Sequence, residues 1–474
     1  MVRRTIAIMA ALICCYATAV KSPRAAGMHM KMPNTAKWDT AAPSGAKSIT
    51  IRIGIQEMCT DTYPAGTIIM CRRLLQRYLP HTGKYAGVAY NIKWRNYDSG
   101  GPLTNMMIAG KLDFGTMGDY PLVVNGAKFQ AAYGVRSKLI TLTAYNLDGA
   151  GNSVVVPTSS AIQSAAELEG KAISVPVGSA AWGMLYVMAK HLGVSINDFK
   201  IINQSPMVGI SAIAEKRIAA HADFCPMSEY MEFYGTGRMV YSGAETGIPY
   251  LHGAVVTAAF AKKYPEIVTA YCEAVLAADR WLVKNPLNAS RMIAQWTMIP
   301  RQVLYLYFSK GGYLIPDPTL KPQFLKTLAY DHSVLAKYAG APPLNMKRWV
   351  DDQYLVKAYK KMGLSYHSQL KTIYSPLRNI GLPVEMWVNG HGVVAAPTIS
   401  ALLGKYKQLV ATGDKISAVY VYDQTTGIKL FGRCSYFVKK NGTISAYMTL
   451  REAEMAAAGK GLVLTWSKLI RRSD

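Results

Sequence analysis

The sequence predicts an α/β fold, a clamshell of two βαβ lobes followed by a small C-terminal α+β domain. Short apolar strands alternate with helix-compatible segments from Ser48 onward, and the alternation repeats with different content after Ser153. Such spacing is typical of βαβ units on a mainly parallel sheet. A change of composition at Gly381-Leu382-Pro383 separates residues 384–474 from the helices before them.

The first lobe is predicted to hold strands at 49–55, 89–94 and 112–117, with helices at 65–79 and 102–109. Pro102 falls in the first turn of its helix, where proline is tolerated. The second lobe is predicted to hold strands at 153–157, 172–176, 199–203 and 219–224, with helices at 166–170, 178–192 and 208–216. A strand at 252–259 returns the chain, and residues 265–374 read as mostly helical.

These elements predict a division of the chain into lobes joined by crossing segments near 146–152 and 244–251. Lobe 1 comprises 48–146 and 250–345, lobe 2 comprises 147–249, and a helical linker covers 346–383. In the C-terminal domain, 384–474, strands are predicted at 385–388, 418–422, 435–439 and 462–464, with helices at 399–411 and 450–458. A ligand would lie at the carboxyl ends of the strands, between the lobes.

The first 26 residues have the pattern of a secretory signal peptide. Arg3 and Arg4 precede an apolar run that is too short for a membrane span, and small residues follow where cleavage would occur. Bulky residues before Cys14 argue against a lipid anchor. We therefore expect a periplasmic protein without a lipid anchor, with residues 27–47 as a flexible leader.

The chain carries a formal charge of +25, but its basic residues are scattered and form no basic helix face with interleaved aromatics. This argues against a nucleic-acid partner; an acidic habitat or anionic surfaces account for the charge more simply. The five cysteines after the leader are too few for a disulfide scaffold. Cys59 and Cys71 are either one local bridge or two separate buried thiols.

Two helix starts favour an anion, because free N–H groups and the positive end of the helix dipole point outward there. The first comprises Ser99, Gly100 and Gly101, and the second comprises Gly178, Ser179 and Ala180. The alternative interpretation is that both are ordinary N-caps.

Two carboxylates, Asp119 and Glu229, are candidates to orient an amine or a hydroxyl of a ligand. The alternatives for them are a helix cap and a surface carboxylate. Thr60 and Asp61 are candidates by position alone, because they follow the first strand.

Three motifs in order resemble those of importer binding proteins for nitrate, taurine, alkanesulfonates and thiamine precursors. They are Tyr97–Asp119 (YDSGGP…AGKLDFGTMGD), Leu168–Ser179 (LEGKAISVPVGS) and Ala219–Glu229 (AAHADFCPMSE). The resemblance covers residues 48–345 and implies a type II periplasmic-binding-protein clamshell. It further implies a monomer that delivers a small anionic or zwitterionic solute, sulfonate-, nitrate- or pyrimidine-like, to the permease of an ABC importer. Ser228 and Tyr230 depart from the family's last motif, where Trp and Pro are usual.

Copper is the alternative cofactor that the sequence suggests. Met28, His29 and Met30 bring thioether and imidazole groups together in the leader, and such soft ligands favour Cu(I). Residues 384–474 resemble the copper-binding accessory lipoproteins of nitrous oxide reductase, but they lack that family's Cys-Gly-Met. Met386, His391 and Met448 are the possible soft ligands there, and Met386 is the candidate carried forward. The alternative function is therefore periplasmic copper handling or metalloenzyme assembly by the C-terminal domain.

Motifs for catalysis are missing from the sequence, which has no Gly-x-Ser-x-Gly, His-Glu-x-x-His, P-loop or Cys-x-x-Cys. Cys225 beside Pro226 reads as a buried thiol at a strand end. We therefore expect a binding protein and no enzyme.

Overall fold

The computed structural model describes residues 47–133, 136–297 and 299–472. Its strands are β1 (Ser48–Ile55), β2 (Ala89–Asn96), β3 (Phe114–Gly118), β4 (Ser137–Asn146), β5 (Ser153–Pro157), β6 (Ala172–Val175), β7 (Lys200–Asn203), β8 (Ala220–Asp223), β9 (Gly237–Ser242), β10 (Tyr250–Thr257), β11 (Ile315–Pro316), β12 (Val384–Val388), β13 (Gly392–Ala396), β14 (Ile416–Tyr422), β15 (Lys429–Phe431), β16 (Tyr436–Lys440), β17 (Thr443–Tyr447) and β18 (Leu462–Thr465).

The α-helices are α1 (Thr67–Cys71), α2 (Leu74–Tyr78), α3 (Gly100–Ile108), α4 (Asp119–Tyr133), α5 (Ala180–Leu192), α6 (Pro206–Ala214), α7 (Met227–Phe233), α8 (Ala258–Lys263), α9 (Pro265–Lys284), α10 (Pro286–Thr297), α11 (Arg301–Phe308), α12 (Pro322–Ala339), α13 (Met346–Trp349), α14 (Gln353–Lys361), α15 (Tyr366–Leu370), α16 (Ile399–Ala411), α17 (Leu450–Ala457) and α18 (Trp466–Arg471). A 3₁₀ helix, Thr60–Ala65, follows β1.

Two sheets form the clamshell, as the sequence predicts. Lobe 1 holds a six-stranded sheet in the order β11-β4-β10-β3-β1-β2, and lobe 2 holds a five-stranded sheet in the order β7-β6-β8-β5-β9. The chain passes from β4 to β5 through residues 147–152 and returns from β9 to β10 through residues 243–249. Both crossing segments therefore lie side by side between the lobes.

The prediction of a mainly parallel sheet is wrong in detail, because both sheets are mixed. In lobe 1, β1 pairs in parallel with β2 and β3, whereas β10 pairs antiparallel with β3 and β4. In lobe 2, β6 is parallel to β7 and β8, whereas β5 is antiparallel to β8 and β9. The antiparallel strands are those next to the crossings, since a chain that leaves a sheet and comes back enters it in the reverse direction.

The helix predicted at 65–79 is also divided. It begins as the 3₁₀ helix around Pro64 and is interrupted at Arg73, whose φ of 53° is left-handed. Proline and a left-handed residue each break the α-helical hydrogen-bond pattern. This division leaves the segment directly after β1 free to form a compact loop at the lobe boundary.

The C-terminal module, residues 384–472, builds two small sheets in the orders β13-β12-β14-β15 and β17-β16-β18. It is docked on the clamshell by buried contacts. Tyr420 donates to the carbonyl of Gln302 on α11 at 3.0 Å, and the rings of Phe431 and Phe233 lie 5.8 Å apart against lobe 2. One continuous hydrophobic core includes residues of both lobes and of this module. The module therefore touches the return helices and lobe 2 together.

Several predictions concern residues outside the described ranges: the signal peptide at 1–26, nearly all of the leader at 27–47, and the candidate ligands Met28, His29 and Met30. In the part of the chain that is described, none of the helices combines the length and the apolar character needed to cross a membrane.

Candidate functional site

A cluster of polar side chains lies buried at the boundary between the lobes. We define the seam cluster as Cys59, Asp61, Cys225 and His252. Cys59 caps the 3₁₀ helix after β1, Asp61 lies within that helix, and His252 lies in β10, all on lobe 1. Cys225 follows β8 of lobe 2 by two residues. Strand ends from both lobes thus deliver the four side chains to one place.

The three soft donors of the seam cluster are in mutual contact. Cys59 Sγ lies 3.6 Å from Cys225 Sγ and 3.3 Å from His252 Nε2, and Cys225 Sγ lies 3.7 Å from His252 Nε2. The sulfur separation far exceeds the about 2.05 Å of a disulfide. His252 pairs with Gly118 of the neighbouring strand β3, where a Cβ would lie 3.5 Å from Nε2 in ordinary van der Waals contact.

Electrostatics within the cluster favour a thiolate beside an imidazolium. Burial by itself raises the pKa of Cys59, but the hydrogen bond with Cys225 and the charge of His252 outweigh it and lower that pKa to about 6. Burial by itself lowers the pKa of His252, and the Cys59 thiolate reverses the effect, so that this pKa rises to about 9. Burial raises the pKa of the Asp61 carboxyl, whose Oδ2 lies 3.7 Å from His252 Nδ1.

Asp119 is buried at the start of α4 and caps backbone groups on two elements. Its Oδ1 accepts from the Tyr120 N–H at 2.7 Å, and its Oδ2 accepts from the Leu251 N–H at 3.1 Å. Burial raises the pKa of this carboxyl to about 6. The cap interpretation of Asp119 therefore applies, and the same carboxylate also faces a seam cavity.

Glu229 is 1% exposed, so its interpretation as a surface carboxylate is wrong. Tyr307 on α11 donates to its Oε2 at 2.7 Å, while Oε1 has no hydrogen-bond partner in the described structure. Burial raises the pKa of Glu229 to about 7, and the Tyr307 hydrogen bond opposes this only in part. The helix α7 that carries it begins directly after Cys225 and Pro226.

A small cavity of about 30 Å³ lies in the seam. Its walls include Asp119 of lobe 1, Ala180 of lobe 2, Asn152 of a crossing segment and Asp331 of α12. Asn152 Oδ1 and Asp331 Oδ2 are buried acceptors without a described hydrogen-bond partner. No Lys or Arg occurs among the described lining residues. This space is too small for an organic solute, so we expect solute entry to require separation of the lobes.

The predicted helix-start residues have different positions. Ser179 is an N-cap that accepts from the Trp182 N–H at 3.3 Å, which matches the N-cap alternative, and Ala180 beside it lines the seam cavity. Gly100 is explained by packing, because a Cβ there would lie 2.2 Å from the Cβ of Pro121. Ser99 is half-buried and Gly101 exposed.

Of the sequence-predicted residues, Thr60, Asp61, Asp119, Ala180 and Glu229 lie at the lobe boundary. Gly178 is half-buried at the edge of lobe 2, and neither it nor the Ser99–Gly101 start is a described wall of the seam cavity.

A Ser-His-Asp set occurs inside lobe 2. His221 Nε2 lies 2.8 Å from Asp223 Oδ2, and His221 Nδ1 lies 2.8 Å from Ser174 Oγ. All three residues are 0% exposed, and a Cβ on Gly209 would already collide with the His221 ring at 2.0 Å. A solute cannot approach a hydroxyl enclosed in this way, so the set is a structural hydrogen-bond network.

A larger cavity, about 670 Å³, opens at the opposite end of the lobe 1 strands from the seam. Arg52, Arg136 and Lys262 are among its walls, and Arg52 is paired with Asp113 at 2.6 Å. The seam is the end at which strands of this topology collect ligand-binding residues.

The C-terminal candidate Met386 is fully buried in the hydrophobic core, where β12 pairs it with Val394 and Val419. Cys59 and Cys71 are free thiols, so the local bridge considered for them is not formed. Cys59, Cys225 and His252 are not among the site residues predicted from the sequence. Their position in the sequence could have identified Cys59 and Cys225 as site residues, because each follows a strand that ends at the lobe boundary.

Two α/β lobes, two adjacent crossing segments and a polar seam define the fold of the two-lobed periplasmic solute-binding proteins. The alkanesulfonate-binding protein of Xanthomonas axonopodis pv. citri, solved with MOPS bound, superposes with a TM-score of 0.54 at 20% identity, covering 65% of this chain and all of that one. The nitrate-binding protein of Synechocystis PCC 6803 gives a TM-score of 0.53 at 12% identity, covering 69% and 92%. These likenesses establish the fold.

Sequence comparison identifies relatives of the clamshell among the periplasmic solute-binding proteins. Residues 95–289 match the family model described as NMT1/THI5 like. The taurine-binding periplasmic protein of Escherichia coli is 26% identical over 238 residues, which cover 48% of this chain and 70% of the relative. A putative aliphatic sulfonates-binding protein of Bacillus subtilis is 28% identical over 190 residues, which cover 40% and 55%. The clamshell is homologous to periplasmic binding proteins, and this homology supports a solute-binding role.

Proposed function

We propose that this chain is an exported solute-binding protein that presents a small zwitterion, an organic sulfonate or carboxylate bearing an ammonium group, to the permease of an ABC importer. The observation that carries the proposal is the composition of the seam cavity. Its walls combine two buried carboxyls, an amide oxygen without a donor and the start of a long helix, and they contain no described basic side chain.

The acceptor side of this cavity suits an ammonium group. Asp331 Oδ2 and Asn152 Oδ1 are buried acceptors without a described donor, and the Asp119 carboxyl lines the same cavity. A buried acceptor without a donor costs free energy, and an ammonium group supplies both hydrogen bonds and charge. A simple anion would meet the same two carboxyls without any compensating charge, so the nitrate-like alternative fits less well.

The opposite wall suits the acid group of the solute. Ala180 is the first residue of α5, a helix of 13 residues. The N–H groups of a first helical turn have no partner within the helix, and the helix dipole favours negative charge there. The taurine-binding relative fits this division, since taurine has an ammonium at one end and a sulfonate at the other.

A solute-binding role also bears on export, oligomeric state and the C-terminal module. We propose secretion by the signal peptide at 1–26 without a lipid anchor, a monomer, and binding without catalysis. Residues 384–474 would act as an accessory module that keeps the fold of the copper accessory lipoproteins. Burial of the Met386 sulfur in the core argues against its use as a copper ligand.

Native mass spectrometry of the full chain tests the proposal. A panel should contain zwitterions (taurine, β-alanine), anions without an amine (ethanesulfonate, nitrate) and a pyrimidine. We expect one zwitterion bound per chain. The complex should be lost in the double variant Ala180→Pro/Asp119→Asn and kept in the surface control Glu215→Gln. A panel in which no solute of any class is retained would contradict the solute-binding role.

A further inference from the structure

We propose that Cys59, Cys225 and His252 bind one thiophilic metal ion, Zn²⁺ or Cu⁺, which joins the two lobes. The three donor atoms are the only described group of this kind whose ligand atoms all lie within 4.8 Å of one another. Two thiolates and an imidazole are the donors that both ions prefer. The proposal goes beyond solute binding and does not depend on it.

The spacing of the donors fits an ion better than it fits ordinary packing. An ion about 2.3 Å from each sulfur and about 2.0 Å from nitrogen, in tetrahedral geometry, places the sulfurs about 3.8 Å apart and each sulfur about 3.5 Å from the nitrogen. The observed separations are 3.6 Å between the sulfurs and 3.3 and 3.7 Å from sulfur to nitrogen. The three side chains therefore already stand at the corners of a coordination triangle.

The second nitrogen of His252 supports the same assignment. Nδ1 faces the Asp61 carboxylate at 3.7 Å, longer than a hydrogen bond, and has no described hydrogen-bond partner; Nε2 points to the two sulfurs. Metal-binding histidines commonly present the nitrogen that does not bind metal to a carboxylate, which fixes the ring and its tautomer. Thr60 in turn donates to Asp61 Oδ1 at 3.0 Å, so the carboxylate is itself held in place.

The surroundings explain why a cation would be retained. The three ligands are at most 2% exposed, and Asp61 and Asp119 add buried acidic groups near them. When the ion binds, His252 Nε2 and the Cys225 thiol each lose a proton to solvent, and the ion replaces that positive charge. Because Cys59 and His252 belong to lobe 1 and Cys225 to lobe 2, the ion enters when the lobes are apart and bridges them when they close.

The test uses the full chain, reduced and stripped by a chelator under argon. Competition with a chromophoric chelator measures Zn²⁺ affinity, and competition with bicinchoninate measures Cu⁺ affinity. We expect one ion per chain with Kd below micromolar, and a loss of at least about 100-fold in Cys59→Ser, Cys225→Ser and His252→Gln. The matched control is Cys272→Ser, which removes another buried thiol, in α9, and should bind as the wild type does.

Absorption spectra of the wild type with Co²⁺ test the metal site even if a variant folds poorly. Co²⁺ added to the stripped wild type should give thiolate-to-cobalt charge-transfer bands, and circular dichroism reports whether each variant is folded. Wild type that binds no ion tighter than micromolar, or Co²⁺ bound without thiolate bands, would overturn the site. The site would also be overturned if folded Cys225→Ser bound the ion with the affinity of the wild type, while replacement of Met28, His29 and Met30 abolished ion binding.

Discussion

Cys59 Sγ lies 3.6 Å from Cys225 Sγ, although the two residues stand 166 positions apart and belong to different lobes. Any bond that involves both sulfurs therefore links lobe closure to the chemistry of the seam. Solute capture and metal binding would act on the same opening and closing of the clamshell, because both depend on groups that meet only when the lobes close.

Metal binding should protect the seam from hydrogen exchange. An ion at 100 times its Kd stabilises the bound state enough to slow exchange through lobe opening by up to about 100-fold. We expect Zn²⁺ to slow amide exchange in Met227–Phe233, which follows Cys225, and not in Ile399–Ala411 of the C-terminal module. Equal slowing of both helices would indicate general stabilisation instead of a lobe bridge.

Asp61→Asn should weaken metal binding without removing a ligand. The amide keeps the size of the carboxylate but loses the charge that orients His252, and changes of this kind typically cost 10–100-fold, or about 1.4–2.7 kcal/mol, in affinity. The control is Asp113→Asn, which removes a carboxylate paired with Arg52 at the far end of lobe 1. Unchanged affinity in Asp61→Asn would exclude the orienting role.

Stability should fall as pH rises, and Glu229 should account for part of the fall. Burial raises its pKa from 4.5 to about 7, so the folded chain holds this proton more tightly than the unfolded chain. The resulting stability is fully present below pH 4.5 and is lost as pH rises through 7, roughly 3 kcal/mol for this group.

Glu229→Gln should flatten that slope, because the amide still accepts a hydrogen bond from Tyr307 and has no proton to lose. The measurement is the free energy of unfolding between pH 4.5 and pH 8, with Glu215→Gln, an exposed carboxyl, as the control. A slope that Glu229→Gln leaves as steep as in the wild type would contradict the assignment.

Docking of the C-terminal module should depend on Lys429. Its side chain is 1% exposed, and its Nζ donates to Glu385 at 2.6 Å and to Ser309 of the clamshell at 2.7 Å. Lys429→Ala removes the bond to Ser309 and leaves Glu385 with the Tyr305 hydroxyl as its remaining described donor, which should cost about 3 kcal/mol in urea unfolding.

Lys361→Ala is the comparison, because Lys361 is exposed and its pair with Glu273 should contribute at most about 1 kcal/mol. Equal losses in the two variants would show that Lys429 and its bond to Ser309 do not hold the module.

The sequence predicts the lobe architecture well because helix and strand signals are local. The strand at 153–157 and the helix at 399–411 are confirmed with their bounds, Ser153–Pro157 and Ile399–Ala411. β4 (Ser137–Asn146) was missed, since a strand buried on both faces lacks the alternation that identifies strands.

The site could be predicted only in part. Thr60, Asp61 and Asp119 were identifiable because they follow strands that end at the seam. The meeting of Cys59 with Cys225 and His252 depends on how the lobes close, which no local pattern encodes. His252 was hidden for a further reason, since it occurs within an apolar strand and its partners are cysteines far away in the chain.

If the seam binds a solute through an ammonium group and an acid group together, taurine and ethanesulfonate should differ in affinity, because they differ only by the ammonium. Calorimetric titration of the full chain with each compound measures this difference. We expect one taurine per chain, bound at least about tenfold (1.4 kcal/mol) more tightly than ethanesulfonate. Equal or tighter binding of ethanesulfonate would contradict it.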